Sequence, residues 1–166
     1  MARPTSKQFG LDVNVLIDRA EEEPSAVSYF KVFKRQGFSF FLPPTAAIEL
    51  EYLASADFEP SKQGPALIAL ESLHLWGIVP FNILPHEHGL AEGFARDLIR
   101  AGYVPEDEFH DGLILAETAI RQIPYLITSD SHLTDIDRKT LIGKLRAKDL
   151  FPTLPLKPDT ALRLFG

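Results

Sequence analysis

The chain has 166 residues, of which 45% are hydrophobic and 24% charged, the balance of a folded domain with a sizeable core. Cysteine is absent, which excludes a disulfide framework, a zinc–thiolate site and a cysteine nucleophile, and fits a reducing, cytoplasmic setting. The formal net charge of −6 argues against a generic nucleic-acid binder, although residues 132–166 hold seven Lys and Arg against four Asp and Glu and could form a basic lip.

The first six residues, Met1-Ala2-Arg3-Pro4-Thr5-Ser6, lack an apolar stretch, so no secretory signal is expected. No apolar run approaches the roughly 18 residues of a membrane span. A first strand is predicted over 7–12, with helices over 13–22 and 25–36. Phe38-Ser39-Phe40-Phe41-Leu42 reads as strand two and stops at Pro43-Pro44. Thr45 is the expected N-cap of a helix over 46–55, and a further helix spans 63–76 and ends at Gly77. Strand three covers 78–83, and its Pro80 points to a sheet edge. Helices follow over 86–101 and 106–122, then strand four from Tyr125 to Thr128. A helix over 133–148, a short strand near 150–156 and a helical turn from Pro158 complete the chain.

Strands separated by helices predict an α/β fold. The expected architecture is a three-layer α/β/α sandwich with a central parallel sheet of four to five strands and right-handed crossovers. With no repeat, low-complexity stretch or linker, residues 1–166 read as a single domain.

Four carboxylates fall at or beside strand ends in this scheme. Asp12 closes strand one, Glu49 lies in the helix after strand two, Asp111 opens the helix before strand four, and Asp130 follows strand four. A parallel sheet brings such ends to one crevice, where clustered carboxylates repel each other and favour a divalent cation. Each acid also has an ordinary alternative. Asp12 and Asp130 could be helix caps, and Asn14 beside Asp12 a turn residue. Glu49 shares a helical stripe with Ile48, Tyr52 and Leu53, so it either has a partner in a packed stripe or sits at a solvated edge. Asp107 and Glu108 share a helix face with Asp111 but could simply favour the helix N-terminus. Thr128 and Ser129 can donate hydroxyl hydrogen bonds to a carboxylate, a water or a phosphate.

The joint order of these acids resembles the PIN-domain nucleases, including the toxin subunits of bacterial toxin–antitoxin pairs. The resemblance rests on Leu11-Asp12-Val13-Asn14-Val15-Leu16-Ile17, Ile48-Glu49-Leu50, the run from Asp111 to Ala119, Leu126-Ile127-Thr128-Ser129-Asp130 and the closing Leu156-Lys157-Pro158-Asp159. It implies a PIN-like fold and a ribonuclease dependent on Mg2+ or Mn2+. By position Asp12, Glu49, Asp111 and Asp130 would be the acidic quartet, with Asp12, Asp111 and Asp130 on the metal. Thr128, Ser129 or Asn14 would be polar helpers, and Asp107 or Glu108 would compete for the third place. It further implies an RNA substrate and raises an antitoxin partner or a homodimer. Residues 55–77 and 83–105 form a longer middle than the smallest toxins carry.

A cation would reverse the sign of the pocket toward a phosphodiester. Arg138, Lys139, Lys144 and Arg146 are candidates for contacts to RNA phosphates. His110, His86 and His88 read as solvent-facing or packing residues, Glu21-Glu22-Glu23 as a solvated helix end, and Trp76 with the many Phe residues as core. Two rivals stand beside the nuclease. One is a PIN-fold module that binds RNA or protein without cutting. The other is an aspartate-dependent phosphatase with Asp12 as nucleophile, which would want a second acid where Asn14 stands.

Overall fold

The structure, a computed structural model, describes residues 6–55 and 59–166. Residues 1–5 of the segment inspected for a signal, and residues 56–58 of the longer middle, lie outside them.

Five parallel strands form one sheet: β1 (Gln8–Leu11), β2 (Ser39–Leu42), β3 (Ile78–Pro80), β4 (Tyr125–Ile127) and β5 (Leu154–Leu156), in the spatial order β3-β2-β1-β4-β5. Gly10 pairs with Phe41 on one side and Leu126 on the other, which makes β1 the central strand. Phe9 and Leu11 are fully buried. Pro80 is on an edge strand as predicted, where its missing N–H leaves no ladder bond unmade, and Pro155 occupies the opposite edge. The chain leaves β1 toward β2 and returns to β4 on the far side. The C-terminal ends of β1 and β4 therefore flank a topological switch point, the usual crevice of such sheets.

The helices are α1 (Val13–Ala20), α2 (Pro24–Arg35), α3 (Pro44–Ser55), α4 (Pro60–Ser72), α5 (Pro85–Arg100), α6 (Phe109–Ile120), α7 (Ser131–Thr134), α8 (Arg138–Ala147) and α9 (Pro158–Phe165). Pro24, Pro44, Pro60, Pro85 and Pro158 each open a helix, where a fixed φ helps and a missing N–H costs nothing. Among the described residues no helix is long and apolar enough to cross a membrane.

Phe9 anchors the core. Its ring centroid lies 4.7 Å from that of Phe38 and 4.9 Å from that of Phe33. Two glycines permit close approach around α6. A Cβ on Gly10 would meet the Thr118 side chain at 2.7 Å, and one on Gly112 would meet Ala95 of α5 at 2.9 Å. Trp76 is only partly buried; its ring and that of Phe30 enclose the Arg19 guanidinium at 4.2 and 4.3 Å.

Five local expectations change. The helix expected over 63–76 is α4, Pro60–Ser72, and turns carry the chain from Leu73 to Gly77. Strand three stops at Pro80 rather than continuing to residue 83, with one more bond from Phe81 N–H to Leu42 O before the chain turns into α5. The helix expected over 106–122 is a 3-10 turn at Glu106–Glu108 followed by α6, because Glu108 leaves helical geometry at φ −108° and ψ 29°. The helix expected over 133–148 breaks into α7 and α8, because the Asp137 carboxylate accepts Thr140 N–H and caps a new helix. Thr45 is not an N-cap: α3 already begins at Pro44, and Thr45 is bonded to Glu117 of α6 instead.

Candidate metal centre

Asp12 leaves β1 with its backbone N–H donated to Ile127 O of β4, so the two strand ends are tied together at the acid. Its side chain is 3% exposed. Oδ1 accepts Val13 N–H at 2.7 Å, which caps α1, and Oδ2 accepts the Thr128 hydroxyl at 2.7 Å. Capping and facing the crevice are thus the same role here. Thr128 Oγ1 also accepts Asp130 N–H at 3.0 Å and the Asn14 amide at 3.3 Å, so its one donor and two acceptor sites are all used. Asn14 Oδ1 accepts Ser129 N–H at 3.0 Å. Thr128 and Asn14 therefore hold the acids in place, and the Ser129 hydroxyl points to Asp18 at 3.1 Å.

Asp12, Glu49 and Asp111 line one cavity of about 420 Å³ together with Asn14, Asp18 and Lys62. Asp130 adjoins it: its carboxyl is within hydrogen-bonding reach of the Asp111 carboxyl and close enough to repel Asp12. The four sequence-predicted acids thus converge. Asp107 and Glu108 part company. Glu108 turns toward Asp130, and its Oε2 lies 2.6 Å from His132 Nδ1. Asp107 faces a neighbouring cleft of about 610 Å³, shared with Glu49, Ile48 and Tyr52. Ile48 and Tyr52 are 67% and 52% exposed, so this part of the α3 stripe around Glu49 looks into an open cleft, while Leu53 at its far edge packs into the core.

Charge crowding raises the acids. Burial, then the nearby Asp130 charge, lifts Asp12 to about 6 against hydrogen bonds that pull it down. Burial and Asp12 lift Glu49 to about 7, opposed by Lys62. Asp111 lies well above the ordinary carboxylate range because of burial, the hydrogen bond it shares with Asp130, and the charges of Asp12, Asp130 and Glu108. Asp130 Oδ2 is buried and receives no N–H or O–H bond among the described residues. A set of oxygen donors that includes the orphaned buried Asp130 Oδ2 fits a hard divalent cation.

Asp18, Lys62, Glu117 and His132 were not singled out from the sequence. Asp18 lies i,i+4 from Asn14, so its place on the same face of α1 was readable. Lys62 is the only cation among the described residues lining the acidic cavity, and its distance from every acidic motif left no signal. Glu117 is 2% exposed and accepts Thr45 N–H at 3.0 Å and its hydroxyl at 2.6 Å, which satisfies the start of α3. Glu21-Glu22-Glu23 is more than a solvated helix end: Glu23 caps α2 through Ala26 N–H, and Glu21 lines the acidic cavity. Among Arg138, Lys139, Lys144 and Arg146, all on α8, none lines that cavity. Lys144 lies over the Tyr103 ring at 5.8 Å.

A parallel 3-2-1-4-5 sheet with acids grouped at the switch point defines a PIN-like α/β fold. No family model matches the chain, and no curated protein matches its sequence. Two solved structures are similar to it. One is VapBC2 from Rickettsia felis bound to a DNA fragment from the promoter, with a TM-score of 0.57 and 11% identity over 90% of this chain and 98% of that one. The other is FitAB bound to an IR36 DNA fragment, with a TM-score of 0.51 and 17% identity over 90% of this chain and 94% of that one. At these identities the likeness is one of fold.

Proposed function

We propose that this chain is a metal-dependent ribonuclease of the PIN type, acting in the cytoplasm as the toxin of a toxin–antitoxin pair. The observation that carries the reading is the meeting of Asp12, Glu49, Asp111 and Asp130, from four separate segments, at the open end of the sheet. Asp12, Asp111 and Asp130 would hold Mg2+ or Mn2+, with Glu49 facing them across the cavity. A divalent cation bound there supplies the positive charge that a phosphodiester needs and a more acidic water. Thr128 and Asn14 orient Asp12 and Asp130. Lys62 at the cavity wall, and the α8 cations further out, would meet RNA phosphates. The fold shared with VapBC2 and FitAB supports an antitoxin partner for this chain, and a homodimer is a further expectation.

The test is RNA cleavage by purified protein with Mg2+, Mn2+ or EDTA, run beside Asp12→Asn and Asp130→Asn. The reading expects metal-dependent cleavage that EDTA and each folded variant abolish. Folded wild-type protein that binds metal and RNA without cutting would make it a binding module. A trapped aspartyl-phosphate at Asp12 would make it a phosphatase.

A further inference from the structure

We propose that Glu108, Asp130 and His132 form a second cation site at the rim of the acidic cavity, one that takes a transition-metal ion such as Zn2+ or Co2+ through an imidazole nitrogen. One ligand atom from each residue lies within 4.8 Å of the others. His132 Nδ1 sits 2.6 Å from Glu108 Oε2 and 3.3 Å from Asp130 Oδ1. The second distance matches the edge of a tetrahedron with metal–ligand bonds of roughly 2.0–2.1 Å. The first is shorter than such an edge, and Glu108 Oε2, which has no hydrogen-bond partner among the described residues, would move slightly outward to share an ion with the imidazole.

The three groups reach this point by separate local causes. The 3-10 turn aims Glu108 inward, and Asp130 caps α7 by accepting His132 N–H at 3.0 Å, which fixes the second residue of that helix beside it. His132 is half exposed, so an ion can enter from solvent. The two oxygens of Asp130 then divide. Oδ1 faces the imidazole, while Oδ2 is buried and unpartnered. A carboxylate so placed can serve the rim with one oxygen and the cavity with the other. The imidazole is what separates the sites: nitrogen suits zinc and cobalt, whereas the oxygen-only cavity suits magnesium.

The rim site shares Asp130 with the proposed nuclease centre, yet its metal binding is measurable in a protein that cuts nothing, so the two readings can fail separately. The experiment is calorimetric titration of metal-free protein with Zn2+, with Co2+ absorption as a coordination readout. It compares wild type, His132→Ala, Glu108→Gln and His86→Ala/His88→Ala, with a parallel Mg2+ titration. The expected result is a Zn2+ affinity about tenfold or more weaker in His132→Ala and Glu108→Gln, unchanged in the His86/His88 variant, with Mg2+ binding unmoved by His132→Ala. Zinc on the wild type should also shift the His132 imidazole nitrogen resonances. Unchanged zinc affinity in His132→Ala, loss only in the His86/His88 variant, or no zinc binding by wild type would each overturn the proposal.

Discussion

Asp12 and Asp130 are joined through one hydroxyl: Thr128 Oγ1 donates to Asp12 Oδ2 at 2.7 Å and accepts Asp130 N–H at 3.0 Å. Two like charges from opposite sides of the switch point are thus held together by a neutral group whose hydrogen-bonding capacity is fully used. Thr128→Val keeps the shape and removes the hydroxyl. Asp12 Oδ2 then retains only the 3.4 Å contact from Asn14, and Asp130 N–H loses its acceptor. The expected loss is about 2 kcal/mol in urea unfolding, from leaving buried polar groups unsatisfied. Thr128→Ser, which keeps the oxygen, should recover most of it.

The raised acids make stability depend on pH with a definite sign. A carboxyl whose folded pKa exceeds its unfolded value stabilises the fold fully below the unfolded value, and that stability is lost as pH rises through the folded pKa. For Asp12 the window runs from 3.8 to about 6, and for Glu49 from 4.5 to about 7. Metal-free protein should therefore melt higher at pH 4.5 than at pH 8. The Asp12 displacement from 3.8 to about 6 alone contributes about 2 kcal/mol between these two pH values, or roughly 4–8 °C for a chain of this size. Mg2+ or Mn2+ at pH 8 should restore most of the difference, because an ion stabilises the ionised acids. Scanning calorimetry at both pH values, with and without EDTA, checks this; a melting temperature that rises with pH in EDTA would contradict the assigned charge crowding.

The sheet was legible because its strands are short apolar runs closed by turn residues, and Pro80 could not donate in a central strand. The acidic quartet was legible because strand ends in a parallel sheet converge. The breaks at Glu108 and near Asp137 were not, because cap and helix-interior energies for Asp and Glu differ by about 1 kcal/mol, less than one tertiary contact. His132 was missed for a related reason. Its partner Glu108 is 24 residues away in sequence, and their meeting depends on a single 3-10 turn. The α3 stripe around Glu49 had the right phase, yet periodicity reports only which residues share a face and not whether that face meets a core or a cleft.

Glu117 supplies a prediction about how the site is supported. It satisfies Thr45 at the start of α3, the helix that carries Glu49. Glu117→Leu removes both bonds, leaves Thr45 N–H and hydroxyl without an acceptor and unfastens α6 from α3. A loss of about 1–3 kcal/mol is expected. Metal-dependent cleavage should fall with it even in molecules that remain folded. Glu117→Gln keeps one acceptor and should lose less on both counts. Denaturant unfolding and cleavage rates measured together test this; full activity in a folded Glu117→Leu protein would show that α3 needs no such fastening.

The last prediction concerns the path of RNA. An acidic cavity wall with Lys62 as its only described cation offers one nearby phosphate contact, while Arg138, Lys139 and Arg146 are exposed on α8. Binding of single-stranded RNA by an Asp12→Asn protein should then weaken with salt, with a log–log slope of about −0.7 per phosphate neutralised. Replacing Arg138 and Lys139 by Ala should flatten the slope by roughly 1.4 on that basis. Lys62→Ala should flatten it by about 0.7 and, being at the cavity, should also slow cleavage in the Asp12-containing protein. Fluorescence anisotropy across a salt series measures the slopes. A slope near zero would remove phosphate contacts from the account, and a slope unchanged by the α8 pair but reduced by Lys62→Ala would route the strand along α4 instead.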